Sequence, residues 1–282
     1  MKRFHLRESP RANGRLMLSL RHLHLNYRKK NAAMVRQLFK TYTRMPWLLH
    51  GAFTHKPKTV EALLQQVYTQ QKRLNFLQVG ANDGCVNDNM HHLLTHTPFD
   101  YQAVCGICIE PQKIVFQDLL QTYANYPHVA CFNLALSNTN QQRTLYNIRP
   151  EYQNIRKNSG FGTRLASFNR DHIIKHWVQL TAGEARNCSP EDYISSEQVD
   201  CMTFASFAEK AGINAFDILM IDTEGFDAEI LKMVDLDHYR VKAVVLEHKH
   251  LSRTEKAYCY HHLKKLGFTV GGSSKDLWGL RQ

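Results

Sequence analysis

The sequence predicts an α/β fold on a mostly parallel, Rossmann-like sheet with helices on both faces, preceded by a basic helical arm. Three observations predict it. Short continuous apolar runs alternate with amphipathic helical stretches from residue 59 onward, as in a parallel sheet covered on both sides. A glycine-rich loop, Gly80 to Gly84, directly follows the first of those runs. Acidic residues end several runs, and ligands of open α/β sheets bind at strand ends.

The arm comes first. Residues 1–44 hold twelve Lys or Arg and one acid, Glu8, which accounts for the +11 net charge of the 282-residue chain. Removing the arm from the chain's 36 bases and 25 acids leaves 24 of each, so the body is neutral. Leu16, Leu20, Leu23 and Tyr27, then Val35, Leu38, Phe39 and Tyr42, recur at helical spacing over residues 16–44. Lys and Arg fill the other faces. Such a helix packs on the body with a solvated basic face, or lies on an anionic membrane surface. Contact with a nucleic-acid backbone ranks behind both. No apolar run reaches the about 18 residues of a membrane span. The N-terminus lacks an apolar block followed by a small-residue cleavage site. The expectation is a cytoplasmic protein, with peripheral contact at the inner membrane face through residues 16–44.

The body, residues 45–282, is expected as one domain. A helix over 59–72 leads to a strand at 75–79, the glycine loop, and a helix over 89–94. A strand at 103–110, a helix near 112–123 and a strand at 129–136 follow. An irregular insert of about 138–198 is far longer than ordinary loops. Then come helix 204–211, strand 216–222, helix 227–234, strand 241–248, helix 254–267 and a terminal strand pair around Gly271, Gly272 and Ser273. The seven scattered cysteines read as free thiols, and the CxxC of Cys105 and Cys108 falls inside a strand rather than opening a helix.

The strand tips are Gly80 to Gly84, Glu110, Leu136 to Ser137, Asp222 to Gly225, and Glu247 to His250. Gly80 permits a sharp turn, and Gly84 a close approach by a ligand or a helix. A dinucleotide loop would read G-x-G-x-x-G, but Asn82 stands where the middle glycine belongs and Asp83 suits a pyrophosphate poorly. Glu110 ends the second strand, where a carboxylate can accept both hydroxyls of a ribose. Together these features point to a cationic nucleoside, and S-adenosylmethionine is one.

The runs "FLQVGANDG", "ICIEP", "NLALS", "FDILMIDTEGFDAEIL" and "LEHKHLS" resemble, in order and spacing, the FkbM-type S-adenosylmethionine-dependent methyltransferases over about residues 74–282. The resemblance implies a class I methyltransferase sheet of seven strands with the last antiparallel. It also implies O-methylation, commonly of sugar or natural-product hydroxyls, and an association with polysaccharide biosynthesis. Carried onto this sequence, it has Gly80, Ala81, Asn82, Asp83 and Gly84 wrap the methionine end of the cofactor. Glu110 would hold the ribose, Pro111 would shape the wall, and Leu136 and Ser137 would flank the adenine. The first 73 residues lie outside it.

A sugar hydroxyl needs a group to take its proton. Asp222, Glu224 and His248, at strand tips, are the candidates, with Asp222 also a candidate for cofactor contact. A divalent metal on Asp222, Glu224 and Asp227 is an alternative, but no metal is expected. His172 and His176 have the i, i+4 spacing of a metal pair without the Glu of H-E-x-x-H, and read as surface histidines. The insert reads as a lid over the acceptor, a sugar or glycan, with Arg164, Ser167 and Arg170 facing it. Trp177 would stack on a sugar ring or be buried. Two rivals are a nucleic-acid methyltransferase using the arm and a non-catalytic cofactor-binding adapter at a membrane. Against the first, "DTEG" stands where base-methylating enzymes place an Asn or Asp, two prolines and an aromatic.

Overall fold

The computed structural model of the chain describes residues 57–96, 101–153, 165–181 and 188–281. The expected arm and its helix over 16–44 lie outside these residues, as does Arg164.

Helix α1 (Val60–Gln71) is capped by Thr59, whose Oγ1 accepts from the Ala62 N–H at 3.2 Å. It buries Val60, Leu63, Leu64 and Val67 and stops at Lys72, which has φ 57. Strand β1 (Leu74–Val79) follows, then α2 (Asn89–His96), β2 (Val104–Ile109), α3 (Lys113–Thr122) and β3 (Val129–Phe132). After the insert, α5 below aside, the chain builds β8 (Ile218–Ile221), α6 (Asp227–Met233), β9 (Ala243–Glu247), α7 (Arg253–Lys265), β10 (Thr269–Gly272) and β11 (Asp276–Leu280).

These strands form a seven-stranded sheet in the order β10-β11-β9-β8-β1-β2-β3. Neighbours from β3 to β9 are parallel, and β11 is antiparallel to both β9 and β10. The order is that of the class I methyltransferase sheet, with the last strand antiparallel as the resemblance implies. From β1 the chain winds outward to β3, then returns to lay β8 on the other side of β1. The strand order therefore reverses between β1 and β8, where open α/β sheets bind ligands.

Side-chain alternation sends the sheet into two cores. Leu77, Val79, Leu219, Ile221, Val244 and Leu246 pack with Ile230 and Leu231 of α6 and Leu263 of α7. On the other face Phe76, Val104, Ile218, Met220 and Val245 pack with Leu63 and Leu64 of α1 and Leu119 of α3. Each such side chain contributes about 1.5–3 kcal/mol by leaving water.

Two expectations change. The strand expected over 129–136 is broken: β3 ends at Phe132, and β4 (Ala135–Leu136) joins a second sheet. At the break, the Asn133 side chain donates to the carbonyls of Glu110 at 2.9 Å and Pro111 at 3.0 Å, bending the chain off the sheet edge. The insert is also more ordered than expected. β5 (Gln141–Ile148), β6 (Ala166–Ser167) and β7 (Ile194–Met202) form a four-stranded sheet with β4, ordered β4-β7-β5-β6. Helix α4 (Arg170–Leu180) packs on it, and α5 (Phe204–Ala211) leads from β7 back toward the main sheet. β5 and β7 are mostly polar with one buried side, so neither shows the continuous apolar run of a central strand.

All seven cysteines are free. Cys105 is exposed and Cys108 buried, because residues three apart on a strand face opposite sides. No helix among the described residues is long and apolar enough to cross a membrane.

Gly106 sits opposite Phe76 across β1 and β2, and a Cβ there would lie 2.3 Å from the Phe76 ring. Gly106→Ala is expected to destabilise the fold by about 1–3 kcal/mol in urea unfolding, and Phe76→Leu in the same chain to restore part of that.

Candidate active site

The glycine loop is fixed by its own backbone. Gly80 has φ 77, and a Cβ on it would lie 1.9 Å from the Asp222 carbonyl oxygen. The tip of β1 thus touches the tip of β8 with no room for a side chain. The N–H groups of Gly80 and Ala81 both donate to the Ile109 carbonyl at 2.9 Å, folding the loop over β2. Asn82 is left-handed at φ 51, and its Oδ1 accepts from the Asp83 N–H at 2.8 Å. The Asp83 carboxylate accepts from the Cys85 and Val86 N–H groups, each at 2.9 Å, so it closes its own turn. At Gly84 a Cβ would meet Leu119 at 2.7 Å and Tyr123 at 2.8 Å. Of the two readings of Gly84, close approach of a helix is the one this geometry requires.

Glu110 is 3% exposed. Its Oε2 accepts from the Asn82 N–H at 2.9 Å and its Oε1 from the Gln112 N–H at 2.8 Å. The carboxylate thus ties the glycine loop to the end of β2, and each oxygen keeps a lone pair for a further donor. Burial raises this carboxyl to about 7, with the N–H groups of Gln112 and Asn82 opposing. Pro111 offers its carbonyl to Asn133. Leu136 and Ser137 are buried in the insert sheet, where the Ser137 N–H donates to the Met202 carbonyl at 2.8 Å. They do not form a main-sheet tip, which lies instead at Phe132.

Past β8 and β9 the acids gather. The Asp222 N–H donates to the Val79 carbonyl at 2.9 Å, continuing the ladder to the glycine loop. The Lys275 ammonium lies 3.8 Å from Asp222 and 3.6 Å from Glu247 Oε1. His250 Nε2 lies 3.2 Å from Glu224 and 3.7 Å from Glu247 Oε2. Glu247 is 5% exposed, and its Oε2 has no hydrogen-bond partner among the described residues. Solvent reaches 49% of the Asp222 side chain, yet the surrounding protein strips much of its hydration. That loss, then Glu247 and Glu224, raise the Asp222 carboxyl to about 8 against Lys275. Burial, then Glu247 and Asp227, raise Glu224 to about 7.

Asp227 is fully buried and accepts from Thr223 Oγ1 at 3.0 Å and the Gly225 N–H at 3.2 Å. It shapes the turn in which Glu224 takes φ 54, and does not join Asp222 as a metal ligand set. His248 has its Nε2 on the Ser273 carbonyl at 3.0 Å, toward the β10–β11 hairpin. The histidine among the acids is His250, two residues on.

In the insert, Asn169 caps α4 by accepting from the N–H groups of Asp171 and His172. This helix brings His172 and His176 up to His250, with ring centroids 5.8 and 5.3 Å from it. Burial is the leading cause lowering the pKa of each of the three imidazoles, which favours their neutral forms. Trp177 is buried beside Tyr193, the second of its two readings. Arg170 pairs with Glu191, and Ser167 Oγ accepts from the Asn169 N–H at 3.1 Å, so both support local structure. Reasoning from sequence missed Lys275, which gives no signal inside a hairpin turn. From the expected tip Glu247 to His250 it selected His248 rather than Glu247 and His250, although Glu247 ends "VVLE" as Glu110 ends "ICIE".

The methyltransferase FkbM domain model matches residues 78–270. No curated protein matches the chain in sequence. Among solved structures, the METTL16 MTase domain is 9% identical with a TM-score of 0.38, over 78% of this chain and 63% of that one. The chain thus spans less than two thirds of that structure's length. A human methyltransferase 10 domain containing protein is 10% identical with a TM-score of 0.35, over 80% and 82% of the two chains. A methyltransferase from Geobacter sulfurreducens is 11% identical with a TM-score of 0.33, over 85% and 96%.

The buried Glu110 carboxyl binds its proton more tightly folded than unfolded, so its contribution favours the fold below about 4.5 and fades as pH rises through about 7. Relative to Glu110→Gln, the unsubstituted chain should lose at least about 1 kcal/mol of stability between pH 5 and pH 8, read from urea unfolding of both at each pH.

Proposed function

The chain belongs to the FkbM methyltransferase family, and from that premise we propose that it methylates a hydroxyl oxygen of a sugar, glycolipid or related hydroxylated metabolite. The methyl donor of this family is S-adenosylmethionine. The observation that carries the oxygen acceptor is the Asp222 carboxyl at the end of β8, whose backbone presses against Gly80 of the glycine loop.

The sulfonium of the cofactor is a good leaving group, so the protein's task is alignment and proton removal. The acceptor oxygen attacks the methyl carbon as the carbon–sulfur bond breaks. The electron pair of that bond stays on sulfur, giving a neutral thioether, and the hydroxyl proton passes to the Asp222 carboxylate. A carboxyl raised to about 8 holds a proton well near neutral pH, as such a base must. Lys275 beside it stabilises the ionised form. In this reading Glu110 receives the ribose hydroxyls while keeping its hold on the loop through Asn82. Gly80, Ala81 and Asn82 lie along the methionine end. The insert sheet with α4 closes over the acceptor.

Methyl-labelled cofactor incubated with the protein and a lysate of its source should place label in the glycan or glycolipid fraction. Label in RNA or protein instead would overturn the acceptor class. With an acceptor identified, Asp222→Asn should lower kcat by about 10²–10⁴-fold while cofactor affinity holds. The unsubstituted enzyme's rate should rise with pH toward about 8, a limb the variant lacks. Glu110→Ala should weaken cofactor binding about tenfold or more by calorimetry.

A further inference from the structure

Two groups of potential ligands meet at one imidazole. The ligand atoms of His172, His176 and His250 lie within 4.8 Å of one another, and so do those of Glu224, Glu247 and His250. The first group comes from the insert helix α4 and the second from the turns after β8 and β9, so His250 stands between them. Each group contains a buried polar atom with no hydrogen-bond partner among the described residues: His172 Nε2 in one and Glu247 Oε2 in the other. Glu247 is 5% exposed, and Lys275 engages only its other oxygen. Glu247 Oε2 has His250 Nε2 3.7 Å away, whereas the buried His172 nitrogen has no partner in a cluster of three imidazoles, and that cluster calls for a cation.

We propose that His172, His176 and His250 bind one divalent first-row transition metal of the zinc type, which clamps the insert helix to the end of the main sheet. Three imidazoles suit zinc or its neighbours, whereas magnesium and calcium prefer all-oxygen sets. Zinc bonds of about 2.0–2.1 Å put tetrahedral ligand atoms about 3.3 Å apart, so small rotamer changes close the present spacing. His172 and His176, one helical turn apart with rings 4.2 Å between centroids, supply the paired edge of the site. The Glu224 carboxylate, 3.2 Å from His250, orients that imidazole from outside the ligand set. Three protein ligands drawn from two segments hold those segments together and leave the fourth tetrahedral position to water. The proposal stands on these side chains alone and is independent of the acceptor proposed above.

The full chain, stripped with a chelator, is titrated with Zn²⁺ against a chromophoric competitor. One equivalent should bind, and His172→Ala/His176→Ala should weaken binding by at least about 100-fold, as loss of ligands rather than of their supporting partners demands. Co²⁺ should give visible ligand-field bands without the near-ultraviolet thiolate charge-transfer band that Cys85, Cys105 or Cys188 would produce. Zn²⁺ should slow amide exchange across 170–180 in the unsubstituted chain only. Should the double variant fail to fold by circular dichroism, His176→Gln, on a half-buried ring, carries the same expectation. Absence of stoichiometric binding, unchanged affinity in the folded variants, or a cobalt–thiolate band would each overturn the site.

Discussion

Register between parallel strands is the constraint on which the rest of this molecule depends. Val79 pairs with Ile109 on one side and Ile221 on the other, and Ile221 pairs with Leu246. The residues that follow are Gly80, Glu110, Asp222 and Glu247, which therefore arrive at one level although 167 positions separate the first from the last. A slip of one residue would turn every strand side chain to the opposite face, exchange the packing of both cores and take the end residues off their common level. Nearly continuous apolar strand interiors thus leave the polar groups at their ends. Gly80 adds a local condition: the Asp222 carbonyl occupies the space a side chain would take, so the two tips can be level only if that residue is glycine.

Gathering carboxylates at one level raises their energy. Asp222 and Glu224 lose hydration, and the neighbouring Glu247 charge adds to the rise of both. Lys275 offsets part of this at both, and Lys249 at Glu224. Glu224 adds backbone strain of about 1–3 kcal/mol, being a non-glycine residue at left-handed φ. The buried Asp227 holds that turn through Thr223 and Gly225, so the strain is supported from beneath by a fully bonded carboxyl. Such an arrangement persists only where the surrounding core is stable enough to impose it.

The main sheet was legible because its strands are central: Leu74–Val79, Ile218–Ile221 and Ala243–Glu247 are nearly continuous apolar runs bounded by turns. The glycine loop and Glu110 were legible for the same reason, since each directly follows such a run. β5 and β7 were not, because one face of each is solvated and only the partner strand identifies Val199 or Leu145 as inward-facing. The break at Asn133 depends on hydrogen bonds to Glu110 and Pro111, residues 23 and 22 positions earlier, which no local pattern reveals. His248 and His250 illustrate the remaining limit. Both follow the same strand, and only the three-dimensional path of the turn, which puts Ser273 beside one and Glu224 beside the other, tells them apart.

The insert departs from the main sheet at Asn133 and returns through α5, yet its entry and exit are neighbours. Ala135 and Gln141 both pair with Cys201, so β4 and β5 flank β7 at the point where the chain goes home. The ends of this long excursion between β5 and β7 are held together by eight successive residue pairs. Its own small core of Ile148, Ile173, Trp177, Tyr193 and Ile194 holds α4 on the sheet, and Leu145 and Val199 lie in a second core. The position of His172 and His176 near His250 is therefore not an accident of a wandering loop. It follows from an anchored helix, capped by Asn169 and fixed by Trp177, on a sheet that is itself tied to the end of the strands bearing the acids.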